Sequence, residues 1–115
     1  MHEYSLTLNL IEIVDEERIK NNAKKIKKIS LKIGKFSGVE EILISHCFEI
    51  LKKEKEPFKE AELQIEVENP EVKCKNCGNI FEPIDFPFIC PNCGNIYSEI
   101  VKGLDIIIEK IEMEI

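Results

Sequence analysis

The stretch that decides the fold reads Cys74-Lys75-Asn76-Cys77-Gly78, continues through Phe86-Pro87-Phe88-Ile89, and closes with Cys90-Pro91-Asn92-Cys93-Gly94. Two residues between the cysteines of each pair let both sulfurs of a tight turn face one ion. The following Gly supplies the positive φ that such a turn needs. Two such knuckles close a tetrahedron of four thiolates, and Zn(II) is the expected occupant because structural zinc favours a closed four-cysteine set. The other readings of the spacing are two disulfides, four unrelated thiols, or iron in a rubredoxin-like site. The paired Cys-x-x-Cys pattern is the zinc one.

Working outward, Asn69-Pro70 marks a boundary before the knuckles and Lys102-Gly103 a return after them. Residues 71–102 then form a small zinc-binding domain, held by coordination more than by a core of its own. The rest is expected to be one α/β domain, residues 1–70, completed by a strand in 103–115. On the amino-terminal side, Leu6, Leu10, Ile13, Val14 and Glu17 recur at helical spacing. The acidic first turn at Glu3 and the polar tail predict a helix ending near Asn21-Asn22. Ile29, Leu31 and Ile33 alternate with polar residues within 27–36, which predicts a half-buried strand. Ser37-Gly38-Val39-Glu40 reads as a capping box opening a second helix. That helix places Val39, Ile42, Leu43, His46, Cys47, Ile50 and Leu51 on one face and stops before Pro57. Residues 61–68 alternate strictly and predict a second strand. Residues 104–115 predict a third, with Ile107, Ile111, Met113 and Ile115 on one face. No internal repeat is expected. The simplest assembly is α+β: two helices on a three-stranded sheet, with an inserted zinc-ribbon-like domain of four cysteines.

Composition narrows the function classes. The 115 residues carry a net charge of −6 with Lys and Glu interspersed, which argues against a partner held by phosphate contacts, so no nucleic acid is expected. No apolar run spans a membrane and no basic leader opens the chain, so neither a membrane nor a secretory route is expected. Five cysteines, the fifth being Cys47, fit a reducing cytoplasm better than a disulfide framework.

Three places could carry chemistry. A closed four-thiolate site holds structure and offers no open position. Cys47 and His46 on the second helix read as packing residues, since free Cys is among the most buried types and no partner for a nucleophilic pair is evident. Met1-His2-Glu3 reads more sharply than as a frayed end. An amino group, the next backbone nitrogens and the His2 imidazole form adjacent chelate rings, a nitrogen-rich arrangement suited to Ni(II) or Cu(II).

Taken together, Met1-His2-Glu3-Tyr4-Ser5-Leu6, the Ile33-Gly34 strand end, the Ser37-Gly38-Val39 turn, Phe48-Glu49 and the paired knuckles resemble the HypA/HybF family of hydrogenase maturation proteins. The resemblance covers nearly the whole chain. It implies a nickel metallochaperone, not an enzyme, with Ni(II) as transient cargo at His2 and Glu3. It implies structural Zn(II) at Cys74, Cys77, Cys90 and Cys93. It further implies a nickel-insertion GTPase of the same pathway and the hydrogenase large subunit as partners, and it leaves a homodimer open. Glu40 falls where some members carry an acidic neighbour of the nickel site. The rival readings are a zinc-ribbon interaction module without a second metal and a rubredoxin-like electron carrier.

Overall fold

The computed structural model describes residues 2–84 and 87–115. Helix α1 spans Glu3–Lys20 and strand β1 Lys25–Gly34. Helix α2 follows at Glu41–Leu51, then two 3-10 turns at Lys52–Glu54 and Glu56–Phe58, and strand β2 at Glu62–Glu68. Three short strands, β3 (Glu71–Cys74), β4 (Ile80–Phe81) and β5 (Ser98–Lys102), precede the closing strand β6 (Ile106–Glu114). The long strands form one sheet in the order β2-β1-β6, and the short ones a second sheet in the order β4-β3-β5. β1 and β2 are parallel, so the chain must cross over between them, and α2 is that crossover. β6 returns antiparallel on the other side of β1.

The expected two-layer arrangement is present. Leu10, Ile11 and Val14 of α1 and Ile44, Phe48 and Leu51 of α2 pack with Ile26, Ile29, Leu31 and Ile33 of β1 in one buried cluster. The opposite sheet face is polar, where Lys32 pairs with Glu68 at 3.7 Å and Glu109 at 3.3 Å. α1 ends as its Asn pair suggests. Asn22 takes a φ of +54°, and the N–H groups of Asn22 and Ala23 donate to the carbonyls of Ile19 and Arg18, closing the last turn.

Four expectations fail in detail. In α1, Ile13 is half exposed and Ile11 takes its place in the core. In α2, most of the expected face is turned away from the sheet, although Leu51 of that face is buried and Val39 packs against the core. Ile42, Leu43, His46 and Ile50 are exposed and Cys47 is half-buried, while Ile44, Phe48 and Leu51 are inside. Both faces of this helix are apolar, so periodicity alone could not choose between them; contact with α1 and β1 does. In β6, Ile106, Ile108, Ile111 and Met113 pack on the core and Ile107 is exposed. Ser30 pairs with Lys110 and Leu31 with Ile108, so Glu109 is an extra residue and the alternation changes phase there. The capping box does not form either. Ser37 Oγ accepts the N–H of Val39 at 3.2 Å, and α2 starts only at Glu41 with no side-chain cap.

The two sheets are joined at a tight neck. The N–H of Lys35 donates to the carbonyl of Glu68, that of Gly34 to Asp105 and that of Phe36 to Gly103. The end of β1 is therefore clasped between the strand leaving for the knuckles and the strand coming back. A Cβ at Gly34 would overlap the carbonyl carbon and oxygen of Gly103, against backbone that cannot yield cheaply. Gly34→Ala is therefore expected to destabilise the protein by about 3 kcal/mol or more, at the upper end of overpacking costs. Urea unfolding checks this, and an unchanged midpoint would show that the neck can open without cost.

Candidate metal centres

The knuckles are built locally. The N–H of Gly78 donates to the carbonyl of Cys74 at 3.0 Å, and that of Gly94 to Cys90 at 2.9 Å. Gly78 and Gly94 sit at φ +78° and +77°, as the turn requires. Strand β3 delivers Cys74 and pairs with β5, which brings the second knuckle back onto the first. Cys74 Sγ lies 3.5 Å from Cys93 Sγ, and Cys77 Sγ 3.6 Å from Cys90 Sγ. All four sulfurs lie within 4.8 Å of one another. A zinc tetrahedron with Zn–S bonds of about 2.3 Å has sulfur–sulfur edges of about 3.8 Å, so the donor set fits the ion in both chemistry and size. The sulfur–sulfur distances of 3.5 and 3.6 Å are far beyond a disulfide bond of about 2.05 Å and argue against the disulfide reading. Burial raises the Cys90 thiol, but backbone N–H groups of Cys93 and Asn92 and the Cys77 and Cys93 sulfurs outweigh it. The net result is a value lowered to about 6. A thiol ready to lose its proton is what a metal ligand needs.

The knuckles also repeat one seven-residue pattern, Cys-x-Asn-Cys-Gly-Asn-Ile, at 74–80 and 90–96. The expectation of no internal repeat is wrong at this short scale.

The second site is at the start of α1. Glu3, Thr7, Leu10 and Val14 fall on one helical stripe, and that stripe faces the core. Glu3 is thereby buried, at 5% exposure, although it is a carboxylate. Its Oε2 accepts the backbone N–H of Glu40 at 3.1 Å. Thr7, also buried, donates its hydroxyl to the Glu3 carbonyl at 2.6 Å. The positive amino terminus, together with the N–H groups of Glu40 and of Glu3 itself, holds the Glu3 carboxyl down at about 2, well below the usual carboxylate range. A depressed value contributes stability above the ordinary carboxylate range and loses it only as pH falls towards about 2. Glu3 therefore stays ionised and tethered through mildly acidic conditions.

His2, one residue before, is exposed and occupies the cap position of α1, its carbonyl accepting the N–H of Leu6 at 2.9 Å. His2 and Glu3 line a cleft of about 550 Å³ whose other walls are Leu6, Ser37, Gly38, Val39 and Leu104-Asp105-Ile106. Asp105, a second carboxylate in this cleft, escaped the sequence reading. It lies over 100 residues from His2 and is brought there by the neck. Glu40 is adjacent through its backbone, but its side chain is exposed. His46 is exposed on α2, and among the described residues the only cluster of three or more metal-type side chains is the cysteine one.

A family model described as hydrogenase/urease nickel incorporation, metallochaperone, hypA matches residues 1–113. The hydrogenase maturation factor HypA of Aquifex aeolicus is 34% identical over 115 residues, covering 100% of this chain and 99% of that protein. The one from Caldanaerobacter subterraneus is 38% identical, covering 99% and 100%. The solution structure of the Ni metallochaperone HypA from Helicobacter pylori superposes with a TM-score of 0.73 at 32% identity, covering 99% of this chain and 98% of that one. A second solution structure of a HypA protein gives 0.77 at 32% identity, covering 98% and 96%. With the two-layer fold, the four-cysteine cluster and a match along nearly its whole length, the chain belongs to the HypA family of hydrogenase/urease nickel-incorporation metallochaperones.

Proposed function

We propose that this chain binds Ni(II) at His2 and Glu3 and delivers it to hydrogenase maturation, with Zn(II) held permanently by Cys74, Cys77, Cys90 and Cys93. The observation that carries the reading is the pairing at the start of α1. An exposed imidazole stands beside a carboxylate that is buried and tethered to the turn before α2. The tether fixes the start of α1 at the edge of the cleft that His2 and Glu3 line. The exposure leaves room for an acceptor's ligands to enter as the chain's own ligands leave. Delivery needs such a site, whereas the closed thiolate tetrahedron offers no position for exchange. One Glu3 carboxylate oxygen accepts the Glu40 N–H, so in this reading Glu3 anchors the start of α1 as well as offering ligand atoms.

The functional units of the proposal are residues 1–70 with 103–115 for nickel and 71–102 for zinc. The partners are a nickel-insertion GTPase and the hydrogenase large subunit, in the cytoplasm, and the chain itself catalyses no reaction. Among the described residues no helix is long and apolar enough to cross a membrane.

Elemental analysis and Ni(II) titration test this. Purified protein is expected to hold one zinc through dialysis and to take up one further, separable nickel. Nickel affinity is expected to fall as pH is lowered from about 8 to about 6, because protons compete for the nitrogen donors. Zinc alone, with no specific nickel uptake, would favour the interaction-module reading. Iron in the purified protein would favour the electron carrier.

A further inference from the structure

We propose that Asn76 and Asn92 are positioning residues of the four-cysteine centre, each carboxamide reaching across from its own knuckle to hold the sulfur of the exposed cysteine of the other. Asn76 Nδ2 donates to Cys93 Sγ at 3.7 Å, and Asn92 Nδ2 donates to Cys77 Sγ at 3.6 Å. The pairing is reciprocal because the two knuckles repeat one sequence and face each other, so the same residue of each meets the same cysteine of its neighbour. The inner sulfurs are served differently. Cys74 and Cys90 are buried, at 1% and 2% exposure, and Cys74 accepts the backbone N–H of Asn76 at 3.4 Å. Asn79 Nδ2 adds a longer contact to Cys90 at 3.9 Å. Cys77 and Cys93 are exposed. They are the sulfurs that water, electrophiles and competing ligands reach first, and the crossed amides are the donors that cover them.

The chemistry follows from charge. Four thiolates around one divalent ion leave a net charge of about −2 to be stabilised. N–H donors draw electron density from sulfur, which stabilises the bound thiolate and lowers its nucleophilicity. The crossed pattern also ties one knuckle to the other, so a cysteine cannot swing out without breaking a bond to the opposite turn. Outer hydrogen bonds of this kind are worth about 10- to 100-fold in metal affinity. The inference rests on the reading that this cluster holds a metal.

The experiment uses the full-length zinc-loaded protein with excess chelator and a thiol-alkylating reagent, and mass spectrometry locates the cysteine modified first. Asn76→Ala is expected to speed zinc loss by about tenfold or more, with Cys93, on the other knuckle, alkylated first. Asn92→Ala is expected to do the same with Cys77 first. Lys75→Ala, in the same turn but with no bond to sulfur, serves as the control and is expected to match the wild type. In the Co(II)-substituted protein, both Asn variants should shift the sulfur-to-metal charge-transfer band to the red, because a thiolate that loses a hydrogen bond is the better electron donor. Zinc loss at the wild-type rate, or acceleration with the variant's own knuckle alkylated first, overturns the crossed assignment. A wild-type protein that holds neither zinc nor Co(II) would instead overturn the metal-centre reading beneath it.

Discussion

Replacing His2 by Ala is expected to weaken Ni(II) binding by more than about 100-fold, beyond the range seen when only an outer hydrogen bond of a metal site is lost. The zinc content and circular dichroism should stay as they were. The physical basis is the separation of the two sites. His2 is exposed at the start of α1, and the four sulfurs form their own cluster on the second sheet. An uncleaved extension placed before Met1 should act in the same direction, since it turns the amine into an amide and crowds the cleft mouth. His46→Ala is the control. The imidazole of His46 is exposed on α2 and belongs to no cluster of metal-type side chains among the described residues. Calorimetric Ni(II) titrations of the three proteins decide the matter. If His46→Ala abolished binding while the extended protein bound normally, the nickel site would lie on α2 and the assignment would fail.

The second large effect is expected from Cys90→Ser, which should release zinc and unfold the knuckle region while sparing the rest. The main hydrophobic cluster draws its buried members from α1, β1, α2 and the segment 58–61, and none from 71–102. Among the described residues of 71–102 the buried apolar ones are Val72, Cys74 and Cys90, two of which belong to the four-cysteine cluster. So little buried surface cannot offset the chain entropy of some thirty residues. Structural zinc contributes on the order of 10–16 kcal/mol in small modules, and in the proposed reading that is the dominant stabilising term for 71–102. Hydrogen exchange should show the amides of 72–102 losing protection while those of β1 and α2 keep theirs. Equal protection with and without zinc would sink the structural role. One contact could carry the disorder further. The rings of Phe36 and Phe88 stack at 5.6 Å and 13° between planes, linking the interval between the knuckles to the segment after β1. Protection at 35–39 is where any spread towards the cleft lined by His2 and Glu3 would appear first.

Much of this molecule follows from local rules. The knuckles need only Cys-x-x-Cys-Gly, because a turn that aims two sulfurs at one point is set by backbone geometry within five residues. The end of α1 at Asn21-Asn22 and the alternation of Ile29, Leu31 and Ile33 are local in the same sense, and all three stand in the structure. A strand with one apolar face has only one way to bury it.

What the chain could not settle alone depends on contacts between distant segments. α2 carries apolar residues round more than half its circumference, so which side faces inward was decided by α1 and β1, and Phe48 went in while Ile42 stayed out. The phase of β6 was decided by its register on β1, where Glu109 bulges. Ser37 and Glu40 looked like a cap because the pattern is local. The Glu40 N–H went instead to a carboxylate 37 residues earlier in the chain. The cleft wall at Asp105 exists only because the neck at Gly34 and Gly103 folds the returning strand against the start of the chain. Sequence by itself determined the cysteine knuckles and the elements, since those depend on residues within a turn of one another. The tertiary structure decided faces, phases and the walls of the cleft beside His2, since side-chain burial is settled by whichever distant surface arrives to cover it.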